Sequence, residues 1–214
     1  ISMYQTANDR SAMLRYDGSS WLTQGVWASG IFTGIATAQI DGDAYSEIVA
    51  SRYTDPTGYQ ESDVYLFDND GAHLKDSTNR YPMRYADIAV GDIDGDGLDE
   101  TLLAVDRSTN ASPSNSYGRM YQEPGSGSWT ESMDTSSFGG AATKIISGNF
   151  DADAASEFVL VRKAWFENGG VTQQETEIRI YDDDMSLLAD SSNPWGLNDE
   201  YSSITAGDLD ADGL

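Results

Sequence analysis

The sequence predicts an all-β protein, a β-propeller of four-stranded antiparallel blades, and three observations carry the prediction. An acidic stretch recurs four times along 214 residues, as QIDGDAYSE, DIDGDGLDE, NFDADAASE and DLDADGL. A short run rich in valine, isoleucine and leucine follows each of the first three copies and lacks helical spacing. Turn-forming residues then separate a second pair of such runs before the next copy begins. Four short strands repeated at a near-constant period are the signature of blades set around an axis.

The repeat is defined by alternate slots. Slot 1 is Gln39, Asp92, Asn149 and Asp208, so the unit recurs after 53, 57 and 59 residues. Slot 3 is Asp41, Asp94, Asp151 and Asp210, and slot 5 is Asp43, Asp96, Asp153 and Asp212. Slot 7 is Tyr45, Leu98 and Ala155; slot 9 is Glu47, Glu100 and Glu157, and the fourth copy stops before it.

In chain order, MLRYDGSSWLTQ (13–24) reads as the outer hairpin of a partial blade. The first full blade spans about 35–76: IATAQI leads into the acidic loop, EIVASRY leads out, and DVYLF turns through DNDG to AHL. The second spans about 87–133, with DIAVGDI and ETLLAVDR around the loop and RMY turning through EPGSGS to WT. The third spans about 143–190, with IISGNF and EFVLVRK around the loop and IRIY turning through DDDMS to LL. Residues 203–214 begin a further partial blade. Stacking blade on blade buries both faces of each sheet, which accounts for runs that are apolar on both sides. Trp27, Tyr81, Phe138 and Trp195 precede slot 1 by 12, 11, 11 and 13 residues and read as wedges between blades, with a carbohydrate-stacking platform as the alternative. Two partial blades point to a fragment of a longer propeller, or to self-association through the end blades, in preference to a closed four-bladed ring.

The loops carry the chemistry. Carboxylates this close repel one another, and a chain gains nothing from that unless a cation sits among them. A hard cation takes several oxygen ligands at short range, and calcium tolerates irregular geometry where magnesium demands an octahedron. Slots 1, 3 and 5 offer side-chain oxygens, slot 9 closes the cage with a carboxylate, and slot 7, where residue type varies, suits a backbone carbonyl. Gly95 and Gly97 allow positive φ in the second loop. Gln39 and Asn149 keep an oxygen at slot 1 but lose a charge, so the first and third loops are expected to bind more weakly. Asp99 lies outside the alternation and is expected to hydrogen-bond within its loop. The competing reading is a ladder of Asx turns that needs no metal.

This pattern resembles the calcium-binding blades of the FG-GAP/VCBS propeller families, which include integrin α-subunit heads. The acidic loop is close to their D-x-D-x-D-G-x-x-D/E motif with glutamate last, and the resemblance spans almost the whole chain. The Phe-Gly and Gly-Ala-Pro spellings are poorly kept, with Ile31-Phe32-Thr33-Gly34 a remnant, which favours a VCBS-like branch. The resemblance implies an extracellular or periplasmic protein that binds a glycan or protein partner, or that stands beside a polysaccharide lyase or other catalytic unit.

Composition narrows the function. Thirty-six acidic residues against 12 basic ones give a formal net charge of -24, which speaks against nucleic acid and anionic lipid as partners. Without cysteine there is no disulfide, thiolate nucleophile or cysteine-ligated metal. No run has the length of a transmembrane helix, so no membrane insertion is expected, and any signal peptide is expected to have been removed. Asn110-Ala111-Ser112 spells a glycosylation acceptor, a triplet common by chance. His73 is the sole histidine, and no serine sits in a nucleophile motif. Arg162-Lys163 can meet an acidic sugar or simply face solvent. A binding or scaffold module is therefore expected. The alternative is the propeller portion of a lyase-like enzyme acting on acidic polysaccharide.

Overall fold

A computed structural model describes residues 2–5, 10–16, 18–27, 31–54, 61–79, 84–106, 115–122, 130–135, 138–139, 141–151, 153–168, 171–191 and 203–207. Every regular element among them is a strand, and every pairing is antiparallel. The first sheet holds β1 (Ser2–Gln5), β2 (Arg10–Tyr16) and β3 (Trp21–Trp27), in that order. The second holds β4 (Ile31–Ala38), β5 (Glu47–Thr54), β6 (Glu61–Phe67) and β7 (His73–Asn79). The third holds β8 (Arg84–Gly91), β9 (Glu100–Asp106), β10 (Asn115–Gln122) and β11 (Thr130–Asp134), with β12 (Phe138–Gly139) also paired to β10. The fourth holds β13 (Ala141–Gly148), β14 (Glu157–Asn168), β15 (Val171–Tyr181) and β16 (Leu187–Asp190). Each sheet is an open meander; among the described residues none closes on itself.

Two features extend what the sequence suggested. The hairpin expected at 13–24 lies within β2 and β3, and β1 adds a third strand to it. The β14–β15 hairpin continues past Lys163 until Asn168 pairs with Val171. Of the aromatic residues between units, Trp27 closes β3 and Phe138 opens β12, whereas Tyr81 and Trp195 lie outside the described residues.

The repeat is also a repeat of register. Each acidic loop is closed by the last pair of the sheet's first hairpin: Ala38 with Glu47, Gly91 with Glu100, and Gly148 with Glu157. In each of these hairpins the register slips at the same place, around Thr33, Ala86 and Thr143, six residues before slot 1. Such a bulge bends the strand and raises its twist.

Burial on both faces explains why β9 carries four successive apolar residues, Leu102 to Val105. Alternate side chains leave a strand on opposite sides. Leu103 and Val105 join Ile40, Val49, Val64, Leu66 and Ile88 in one cluster, between the second and third sheets. Leu102 and Ala104 join Ile93, Met120, Ile145, Phe158 and Tyr181 in another, between the third and fourth. Each leucine or valine so placed contributes about 1.5–3 kcal/mol relative to exposure. The first strands of successive sheets lie side by side, β1 by β4, β4 by β8 and β8 by β13. Glycine makes that approach possible, since a Cβ on Gly34 would stand 2.5 Å from Ile88 Cγ2 and 2.9 Å from its backbone nitrogen. Residues 204–206 face β8 and β13 across a shared cleft, and 204–207 face Phe150, Ile178 and Ile180 of the fourth unit.

Candidate metal centre

The three complete acidic loops, residues 39–46, 92–99 and 149–156, are built in the same way. The slot-2 side chain anchors the loop: Ile40 and Ile93 are buried in the clusters just described. Its backbone amide then donates to the slot-9 glutamate. Ile40 N reaches Glu47 Oε2 at 2.9 Å, Ile93 N reaches Glu100 Oε2 at 2.8 Å, and Phe150 N reaches Glu157 Oε2. Glu47 and Glu157 are 0% exposed and Glu100 is 3% exposed, an unusual depth for carboxylates.

Slots 3 and 5 shape the turn. Asp41 Oδ1 accepts from Asp43 N at 3.0 Å, and Asp43 Oδ1 accepts from Tyr45 N at 2.6 Å. The same two bonds recur at Asp94 and Asp96, to Asp96 N and Leu98 N, and at Asp151 and Asp153, to Asp153 N and Ala155 N. Gly42, Gly95 and Gly97 take φ of 79°, 71° and 92° in these turns. The Asx ladder of the metal-free reading is therefore present, and it occupies Oδ1 of each slot-3 and slot-5 carboxylate.

The ladder leaves oxygens over. At slot 1, Gln39 Nε2 and Asn149 Nδ2 donate to the carbonyls of Asp43 and Asp153 at 2.7 and 2.8 Å, and Asp92 Oδ2 accepts from Gly97 N at 3.0 Å. The amide oxygens Gln39 Oε1 and Asn149 Oδ1 and the second carboxylate oxygen of Asp92, Oδ1, are buried with no hydrogen-bond partner among the described residues, as are Glu47 Oε1 and Glu157 Oε1. An orphaned buried acceptor costs about 1–3 kcal/mol. The residues present thus fit a cation that takes oxygen ligands.

Carboxylates converge around these atoms. Oxygens of Asp41, Asp43 and Glu47 lie within 4.8 Å of one another, as do those of Asp92, Asp94 and Asp96. In the third loop Asp151 and Glu157 meet Asp182, from the turn between β15 and β16, within the same distance. Glu100 and Asp153 stand outside these triads. At such a separation each like-charged pair costs about 1 kcal/mol in water and about 3–4 kcal/mol at an effective dielectric near 20. Burial accordingly pushes the Glu47, Glu100 and Glu157 carboxyls up, Glu100 to about 7, with the slot-3 and slot-5 charges adding to the shift. Burial also raises Asp183, with the Asp182, Asp153 and Asp184 charges contributing. Asp208, Asp210 and Asp212 lie outside the described residues.

Three side chains have roles that the sequence did not disclose. Asp99 reaches the preceding loop: its Oδ2 accepts from Gln39 N at 2.6 Å and its amide donates to Gln39 O at 2.8 Å. Ser156 N donates to Asp92 O at 2.7 Å, so slot 8 of the second and third loops holds slot 1 of the loop before it. Arg162 forms an ion pair with Glu177, which also holds Arg179. His73 is exposed and lies against the rings of Tyr65 and Phe67, at 6.0 and 5.6 Å between centroids. Asn110-Ala111-Ser112 lies outside the described residues. Compared with known proteins, the chain matches no family model and no curated protein significantly.

Proposed function

We propose that the chain is a calcium-stabilised β-propeller module that serves as a binding or scaffold surface, outside the membrane, for a glycan or protein partner. The observation that carries this reading is the set of buried, unpartnered oxygens at slot 1 of all three loops and at slot 9 of the first and third, beside converging carboxylates. A mixed carboxylate and amide set on an irregular turn suits calcium better than magnesium. The propeller arrangement draws support from four successive antiparallel meanders whose first strands lie side by side. An extracellular or periplasmic setting suits sites of modest affinity, with Kd on the order of 10⁻⁴–10⁻³ M. The polysaccharide-enzyme alternative gains nothing from Arg162, whose charge is engaged by Glu177.

Thermal melts of the cation-stripped chain, alone and with calcium or magnesium, test the reading, with calorimetry to count sites. Calcium binds the folded loops and should raise Tm; at a hundredfold excess over Kd each site adds about 2.7 kcal/mol. Magnesium should do less. An unchanged melt and no binding heat with calcium would reduce the loops to acidic turns and overturn the proposal.

A further inference from the structure

We infer that the turn between β15 and β16 supplies a carboxylate ligand, Asp182, to the cation site of the third loop, so that this site is built from two separate segments of the fourth sheet. The inference rests on the proposal that the loops hold a divalent cation, and it adds a residue that lies outside the acidic repeat.

Asp182 offers a carboxylate oxygen within 4.8 Å of both Asp151 and Glu157. Glu157 is fully buried, and its Oε1 has no hydrogen-bond partner among the described residues. Asn149 Oδ1, on the same loop, is buried and likewise unpartnered. Acidic groups that merely decorate a surface turn do not converge on a buried, unsatisfied oxygen. A cation shared among them satisfies that oxygen and removes the repulsion together.

Charge counting points the same way. The second loop offers four carboxylates at its slots, Asp92, Asp94, Asp96 and Glu100. The third offers three, Asp151, Asp153 and Glu157, because Asn149 holds slot 1. Asp182 restores the fourth. The corresponding turn of the second sheet, after β6, makes the same hydrogen bonds through Asp68 and Asp70. Among the described residues it forms no such group with the first loop. The two turns differ where Gly71 of one is replaced by Met185 of the other. Both residues have positive φ, 88° and 66°, and Met185 is buried in the cluster between the third and fourth sheets. A left-handed methionine costs about 1–2 kcal/mol, which its burial offsets, and that burial ties the turn to the core.

Calcium titration calorimetry on the 214-residue chain and its Asp151→Ala, Asp182→Asn, Asp70→Asn and Asn149→Asp/Asp182→Asn variants tests this. Asp182→Asn keeps the shape of the turn and removes the charge. Asp151→Ala removes a member of the triad, and should abolish one site and so identify the third loop. Asp182→Asn should weaken that same site by about tenfold or more and leave the others unchanged, while Asp70→Asn, in the corresponding turn of the second sheet, should have little effect. The double variant returns a carboxylate at slot 1 and should recover most of the lost affinity, which a purely structural role for Asp182 would not allow. Parent-like binding by Asp182→Asn, or no recovery in the double variant, overturns the inference while leaving the loop sites standing. A parent chain that binds no calcium overturns both.

Discussion

At the scale of single residues, the slot-9 glutamates decide how the loops respond to pH. Burial raises all three carboxyls, Glu100 to about 7. Without a cation, the folded state therefore holds protons that the unfolded chain releases near pH 4.5. Stability of the cation-free protein should be full below that pH and decline as pH rises toward about 7. Calcium competes with those protons, so its affinity should climb across the same window and the slope with calcium should flatten or reverse. Thermal melts between pH 5 and 8, with and without calcium, check both signs. Asp94 and Asp99 form a second comparison. Asp94→Ala removes a loop carboxylate and should weaken the second site by about tenfold or more. Asp99→Ala should act on the first site, because Asp99 caps Gln39 N. Calorimetry on the two variants should show losses at different sites; a shared loss would refute the cross-loop role. The alternate slots of Asp92, Asp94 and Asp96 were legible in the sequence because the acidic residues recur at fixed spacing. Asp99 and Asp182 were not, because their partners are 60 residues away or on another turn.

At the scale of elements, side-by-side packing of first strands depends on small residues. A Cβ at Gly34 would meet Ile88 side chain and backbone closer than van der Waals contact, and backbone gives way poorly. Gly34→Ala should cost about 1–3 kcal/mol by overpacking, read from chemical denaturation. Among the described residues, Gly18 has nothing within 4 Å of the corresponding position, but its φ of 96° makes alanine strained there too, so the informative control is Gly207, which meets no described residue there and has no positive φ. Gly207→Ala should be near neutral. Strand order was readable from turn residues and valine-rich runs. The bulges at Thr33, Ala86 and Thr143 were not, although they recur at the period of the loops. A bulge is a mismatch between two strands, and a single strand's sequence does not state its register.

At the scale of the whole molecule, a net charge of -24 on 214 residues opposes compaction. On the proposed function, each calcium would offset two charges at places where carboxylates are already held together. The cation-free chain should therefore gain more Tm from added sodium chloride than the calcium-loaded chain does, since salt screens repulsion that calcium has already removed. Equal salt responses in differential scanning calorimetry would show that the loops contribute little to the electrostatic strain. The links from slot 8 to the preceding slot 1 join neighbouring loops through backbone hydrogen bonds, so each site leans on the next sheet as well as its own.

The sequence by itself determined the all-β class, the succession of short strands and the alternate acidic slots, because each of these is a local pattern of side-chain type and spacing. The tertiary structure alone decided which oxygens are buried without partners, which carboxylates meet, and which glycines stand against a neighbouring strand. Those properties belong to pairs of segments far apart in the chain. Asp182 beside Glu157, Asp99 against Gln39 and Gly34 against Ile88 exist only once the sheets have packed, and packing is set by the sum of many weak apolar contacts that no short stretch spells out.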